Sequence, residues 1–194
     1  MTIGSGNSGA GGELVMSAGK SSFASGGSIS VGTGYGSATS SGDYTLFTPN
    51  AGSNGVSGKI VMSTGTSSDG NSGSFYVGTG SAKSGRGGSI SVTVGNGDSG
   101  LGGEIVMTAG LSTGGGGGSV TVKSGSSGGA ESGAVIFGSA NAGSSGVSGL
   151  VTMSTGSTTI GNTGGIYIGS GQATKGRSGE VSVTVGSGNS GSGG

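Results

Sequence analysis

Residues 95–110 read GNGDSGLGGEIVMTAG and residues 4–19 read GSGNSGAGGELVMSAG, so one phrase occurs twice, 91 residues apart. Residues 4–94 align with residues 95–185 without a gap, and about half of the aligned positions are identical. The last nine residues, GSGNSGSGG (186–194), begin a third copy. Such internal self-similarity is typical of repeat architectures. We therefore expect residues 1–194 to form a single repeat array that is a fragment of a longer chain.

A shorter repeat lies inside each copy. Pairs of apolar residues two positions apart recur every 15 residues, with one unit of 16 that accommodates Pro49 and Asn50. Each unit has about eight small polar residues ending in Gly, followed by a seven-residue segment such as SISVGTG (28–34). Apolar side chains at every second position are typical of a β-strand with one face turned inward. The sequence therefore predicts one short strand and one turn per unit.

One glycine occurs just before the segment in all twelve units. A position that is always Gly in an internal repeat indicates either an unusual backbone angle or a close approach that no side chain permits. A disordered linker would have no reason to keep it. The twelve positions are Gly12, Gly27, Gly42, Gly58, Gly73, Gly88, Gly103, Gly118, Gly133, Gly149, Gly164 and Gly179.

A single short strand with two large apolar residues must stack on neighbours that repeat its pattern. The sequence therefore predicts an all-β fold, a parallel β-solenoid (β-helix) in which strands lie about 4.8 Å apart. Methionine recurs in every third unit, and this favours a coil of three units, or about 45 residues, over a thin coil of 15 residues. The methionines concerned are Met16, Met62, Met107 and Met153.

Composition excludes several classes of protein. The chain has 55 Gly, one Pro, no Cys, no His and no Trp, with seven basic and seven acidic residues. Without Cys there is neither a disulfide framework nor a thiolate metal site. The basic pairs Lys83 with Arg86 and Lys175 with Arg177 are too dilute for nucleic-acid binding. No apolar run is long enough for a membrane span. Without His, Cys or paired acids at a common repeat position, we expect no enzyme, no catalytic residues and no cofactor.

Two short motifs match signatures of nucleotide-binding and hydrolytic sites but are better explained as turns. Residues 4–9 and 95–100 match the dinucleotide fingerprint G-x-G-x-x-G, which requires a following helix that the glycine-rich sequence does not predict. Residues 125–129, GSSGG, match G-x-S-x-G, but the chain has no histidine to act as the base.

Acidic residues are too sparse for a calcium-binding β-roll, which needs an Asp in every turn. The chain has only Asp43, Asp69 and Asp98, and we interpret them as solvated turn residues. We therefore predict no metal site. Three further acids begin predicted strands at an outward position, where a charge aids solubility and discourages edge pairing; these are Glu13, Glu104 and Glu180.

The phrases NAGSSGVSGLVTMSTGS (141–157), GGSISVTVG (87–95) and GSGNSGSGG (186–194) resemble the long Gly/Ser-rich tandem arrays of secreted proteins of marine microalgae, diatoms in particular. The resemblance covers the whole chain. It implies an extracellular, fibrous or adhesive protein of β-solenoid type, and it brings no catalytic or binding residues with it.

These observations favour a structural segment of an extracellular fibre or filament, acting as a spacer, matrix element or adhesive strand. The expected partner is the protein itself, end to end or side by side, with carbohydrate or a solid surface as a further partner. The alternative is a surface-binding module for polysaccharide or ice, although the outward Thr residues do not align as an ice-binding array would require. In a solenoid, aspartate at Val77 or Val122 is expected to abolish folding locally.

Overall fold

The computed structural model describes residues 3–6 and 8–190. Within these residues the chain has no helix and no strand; it is irregular backbone interrupted by short bends and turns. The bends recur at the spacing of the sequence repeat, as at residues 22–24, 37–39, 68–70 and 83–85. The turn half of each expected unit is therefore confirmed, whereas the strand half is wrong. Met1, Thr2 and the end of the third copy (191–194) lie outside the described residues.

The predicted parallel β-solenoid is wrong for the part of the chain that the structure describes. A solenoid needs a ladder of backbone hydrogen bonds between successive coils. The backbone hydrogen bonds recorded here instead join the two ends of single loops. Neither a coil of 45 residues nor a thin coil of 15 residues is formed. The physical reason is that each unit offers only two large apolar side chains, while its glycines lose the most conformational entropy on ordering.

Five loops are closed by the same backbone hydrogen bond. In each loop the amide of the recurring glycine donates to the carbonyl oxygen of a glycine eight residues earlier. The donor to acceptor pairs are Gly12 to Gly4 (3.2 Å), Gly27 to Gly19 (2.8 Å), Gly42 to Gly34 (3.0 Å), Gly118 to Gly110 (2.9 Å) and Gly133 to Gly125 (3.0 Å). In these five units the chain therefore returns on itself, and the apolar segment leaves the loop beside the point at which the previous segment entered it.

Backbone angle does not explain the recurring glycine, whereas close approach explains it at some of the twelve positions. None of the twelve has a positive φ; the positive-φ glycines are Gly70, Gly100, Gly161 and Gly176. A Cβ built at Gly103 would lie 2.6 Å from Cγ1 of Val94, and one built at Gly118 would lie 3.1 Å from the backbone nitrogen of Gly110. In all twelve units the nearby residue is the one nine or ten positions earlier. The prediction of a close approach is therefore confirmed at positions such as Gly103 and Gly118. It is not confirmed at Gly42, Gly73, Gly164 and Gly179, where a Cβ would make only ordinary van der Waals contact at 3.5–3.8 Å.

Hydroxyl side chains shape several of the loops from inside. The Ser21 hydroxyl accepts a hydrogen bond from the amide of Ala24 (2.9 Å), and Ser112, which is 91 residues further on, accepts from Gly115 (3.0 Å). A second pair uses the hydroxyl as a donor: Ser67 donates to the carbonyl oxygen of Asp69 and Thr158 donates to that of Ile160, each at 3.1 Å. Such short-range bonds compete with regular secondary structure and favour turns. Loop geometry therefore repeats with the 91-residue copy.

No core is present among the described residues, none of which is buried. The chain exposes 18973 Å² of surface, whereas a compact monomer of its 17.5 kDa mass would expose roughly 7900 Å² and the unfolded chain roughly 25000 Å². Chain contacts group the residues into two compact parts, Met1–Thr93 and Val94–Gly194. The inward strand face that a solenoid would bury is therefore not buried in the part of a single chain that the structure describes.

The closed loops give a first testable prediction. Valine at Gly118 places its Cβ against Ala109 and the Gly110 nitrogen, so we expect the bond from the residue-118 amide to the Gly110 carbonyl to be lost, at a cost of about 1 kcal/mol. The temperature dependence of that amide's proton shift, measured by NMR, should change from that of a bonded amide to that of a solvated one.

The matched control is Gly116→Val in the same loop, because a Cβ at Gly116 meets nothing within 4 Å. The control should leave the residue-118 amide bonded. Equal responses from the two variants would show that close approach does not explain the recurring glycine.

Candidate functional site: an exposed apolar row

The most regular surface feature is a row of large apolar side chains, which we call the apolar row. It consists of the residues two and four positions after each recurring glycine. In the first six units these are Leu14 and Met16, Ile29 and Val31, Tyr44 and Leu46, Ile60 and Met62, Phe75 and Val77, and Ile90 and Val92. All of them are exposed, although a buried position is what their side chains favour.

The alternation in the sequence does produce two faces, even without a sheet. Phe75 is 57% exposed, whereas the neighbouring Tyr76 is 89% exposed. The equivalent residues of the second copy behave in the same way, with Ile166 at 51% and Tyr167 at 96%. In ten of the twelve apolar pairs the first residue is the more sheltered one, the exceptions being Tyr44 with Leu46 and Val120 with Val122, but about half of its surface still faces water.

The loop glycine lies against the end of this row. The residue six positions after a recurring glycine lies close to the next recurring glycine. Ala109 lies close to Gly118 in this way, and Thr79 lies close to Gly88. The Thr79 hydroxyl also donates to the Gly88 carbonyl oxygen at 3.1 Å, and the Thr48 hydroxyl donates to that of Gly58 at 3.1 Å. Because the recurring glycine has no side chain, the last position of one row segment can lie directly against the start of the following segment.

Sequence reasoning missed this third position of the row. The signal was present, because the residue six positions after the recurring glycine is always small or β-branched: Ala, Ser, Thr or Val. Residues of this size fit the narrow space above a glycine. The position was not predicted because its partner is nine or ten residues away along the chain, outside the range of strand alternation.

The charged side chains are all exposed, and several are next in sequence to a large residue of the apolar row, as Asp43 is to Tyr44 and Lys59 to Ile60. Asp43, Asp69 and Asp98 belong to three different units, and the described residues contain no group of three side chains suited to hold a metal ion. Glu13 and Glu104 precede the first apolar residue of their segments, as their sequence position suggests. Nor do the described residues enclose a cavity. This surface presents apolar contact area without the convergent polar groups that bind a small molecule.

The motifs that resemble nucleotide-binding and hydrolase signatures lie in loops. Residues 98–101 form a bend in which Gly100 has a φ of +80°, a conformation that side chains disfavour. Residues 125–129 lie in the loop that the Gly133 amide closes. In the equivalent stretch 4–9, Asn7 lies outside the described residues. The turn interpretation accounts for these glycines.

The described residues include no helix that is long and apolar enough to cross a membrane. Comparison of the chain with protein-family models, with curated proteins and with solved structures finds no match. Function therefore has to be inferred from the geometry and chemistry of the chain itself.

The exposure of the row's methionines can be tested directly. Met62, Met107 and Met153 are 63%, 75% and 67% exposed, so we expect dilute hydrogen peroxide to oxidise them at rates within about twofold of a free methionine peptide. Mass spectrometry of proteolytic peptides gives the three rates. Oxidation slowed by about tenfold in a monomeric sample would show that the side chains are packed inside one chain.

Proposed function

We propose that the chain is a structural segment of an extracellular fibre, a spacer, matrix element or adhesive strand that acts by associating with copies of itself and performs no catalysis. The observation that carries this proposal is the apolar row, which recurs in every unit and is exposed in all of them. Large apolar patches on a protein surface are typical of interaction sites. Nothing among the described residues of a single chain buries the row.

Association between copies is the arrangement that fits the row best. Removing apolar surface from water is the main favourable term in protein association. A second copy carries the same apolar pairs at the same 15-residue spacing, so its row can meet this one along its length. The equal number of acidic and basic residues, seven of each, means that copies approach one another without net repulsion.

An extracellular location is part of the proposal, and it rests on the resemblance to Gly/Ser-rich secreted arrays. The loops and the second face carry mostly Ser, Thr and Gly, which remain hydrated when the apolar row is covered. The absence of cysteine means that such a fibre would be held by packing and hydrogen bonds alone.

A second candidate function is binding to polysaccharide. It is favoured by Tyr76 and Tyr167, which occupy equivalent positions in the two copies and project from the face opposite to the apolar row at 89% and 96% exposure. Tyrosine combines a flat apolar ring with a hydrogen-bonding group, a combination that is enriched at binding surfaces. A pull-down with insoluble polysaccharide, using Tyr76→Ser with Tyr167→Ser as the variant, separates the two functions.

Replacement of Val122 by Asp tests the self-association proposal. The side chain of Val122 is exposed, so we expect no loss of local structure in a single chain, in contrast to the local unfolding that a solenoid would require. In an assembly the new carboxylate would be desolvated, and the concentration needed for assembly should rise by about tenfold or more. Sedimentation velocity over a concentration series measures this value.

Thr121→Asp is the matched control, because it adds the same charge one residue away on the opposite face. It should assemble at nearly the concentration of the unmodified chain. A chain that remains monomeric at all concentrations, or an equal effect of the two variants, would contradict assembly through the apolar row.

A further inference from the structure

The signs of the charges alternate from one repeat unit to the next. We number the units from residue 4, so that unit 1 is residues 4–18, unit 4 is 49–64 and unit 9 is 125–139. Each of the first nine units carries charge of one sign only. In order these charges are Glu13; Lys20; Asp43; Lys59; Asp69; Lys83 and Arg86; Asp98 and Glu104; Lys123; and Glu131. The sign therefore changes at all eight junctions between these nine units.

This alternation matters for how two copies align. Because the apolar row repeats every unit, two rows match equally well at a displacement of any whole number of units, and apolar contact alone leaves the register undetermined. Charges can select among these registers. With no displacement, parallel copies place every acidic unit beside an identical acidic unit. Displacement by one unit places units 1–8 of one copy beside units 2–9 of the other, and each of these eight pairs joins an acidic unit to a basic one.

The charges are exposed, so each pair is weak, but there are many of them. Opposite and like charges within about 8 Å still interact at physiological salt. Electrostatic complementarity of this kind sets register and partner choice more than overall affinity. The apolar row thus supplies the attraction and the charges select the register.

We propose that copies of this chain associate in parallel with a displacement of one repeat unit, so that each acidic unit faces a basic unit of its neighbour. This inference rests on the proposed self-association. A fully overlapped antiparallel pair would also bring opposite charges together, but it closes after two copies. A displaced parallel contact is heterologous and leaves one repeat unit of each row uncovered, so that further copies can add to both ends and form a filament. A growing fibre therefore requires the displaced arrangement.

Cysteine cross-linking tests the register, because the natural chain has no cysteine. Ser74, Ser89 and Ser119 occupy the same position in units 5, 6 and 8, directly after the recurring glycine, and all are exposed. Three single variants, Ser74→Cys, Ser89→Cys and Ser119→Cys, are assembled in pairs with one member isotope-labelled, oxidised briefly, and analysed by mass spectrometry.

A displacement of one unit should favour the disulfide between positions 74 and 89 over identical-position disulfides by about tenfold, the combined effect of eight weak pairs. Raising the salt concentration should reduce this preference while assembly persists. Predominance of identical-position disulfides, or of the disulfide between positions 74 and 119 that an antiparallel or three-unit alignment favours, would overturn the proposal.

A variant with rearranged charges makes the test independent of net charge. This variant leaves the net charge unchanged and combines six substitutions: Lys20→Glu, Lys83→Glu, Arg86→Glu, Asp43→Lys, Asp98→Lys and Glu104→Lys. Like signs then occur in adjacent pairs of units, so that opposite charges meet at a displacement of two units. In this background the favoured disulfide should become that between positions 89 and 119.

An unchanged cross-linking pattern in the rearranged variant would show that the charges do not set the register, even if the chain assembles. In that case the proposed structural function would remain supported, and the proposed displacement of one repeat unit would be wrong. Absence of any assembly in the unmodified chain would overturn both.

Discussion

The structure depends on the local closure of loops at the recurring glycine. In five loops the amide of this glycine donates to a carbonyl oxygen eight residues earlier, and in all twelve the residue nine or ten positions earlier lies within 4 Å of where a Cβ would be built. At the tighter positions, such as Gly103 and Gly118, a larger residue would require its neighbours to move. Because the loops close locally, the chain reverses at regular intervals without help from distant residues. Regular loops then place the apolar segments at regular positions.

Local closure has a consequence for the apolar residues. The loops order the chain without bringing one segment into contact with another along a hydrogen-bonded ladder, so the large side chains remain in water. The surface that a single chain exposes is roughly 2.4 times that expected of a compact protein of its mass. A repetitive chain that keeps its apolar residues outside gains stability when it meets a surface of the same period. The proposed self-association would give this exposure a function, and the alternating charges would give the association a register.

The sequence correctly predicted features that depend on short-range backbone chemistry, and it wrongly predicted features that depend on pairing between strands. The positions of the turns followed from residues only a few positions apart, because glycine and serine act through local backbone geometry. The recurrence of Gly103 and Gly118 indicated a close approach, but it did not identify the residue nine positions earlier that makes it. The alternation at Phe75, Tyr76 and Val77 correctly separated two faces. The alternation did not predict what covers the first face. A period of two residues is the same whether a segment pairs with its own chain or with another chain. The strands and the solenoid were therefore wrong, and the site is a surface instead of a core.

The central claim is that one chain has no core of its own and that the apolar row becomes buried only between chains. Amide hydrogen exchange of the apolar segments, compared between a dilute monomer and an assembled sample, tests it most directly. The account predicts that amides of segments such as 28–34 exchange at nearly the rate of an unstructured peptide in the monomer and become protected on assembly. Strong protection of the same amides in the dilute monomer, independent of concentration, would contradict it.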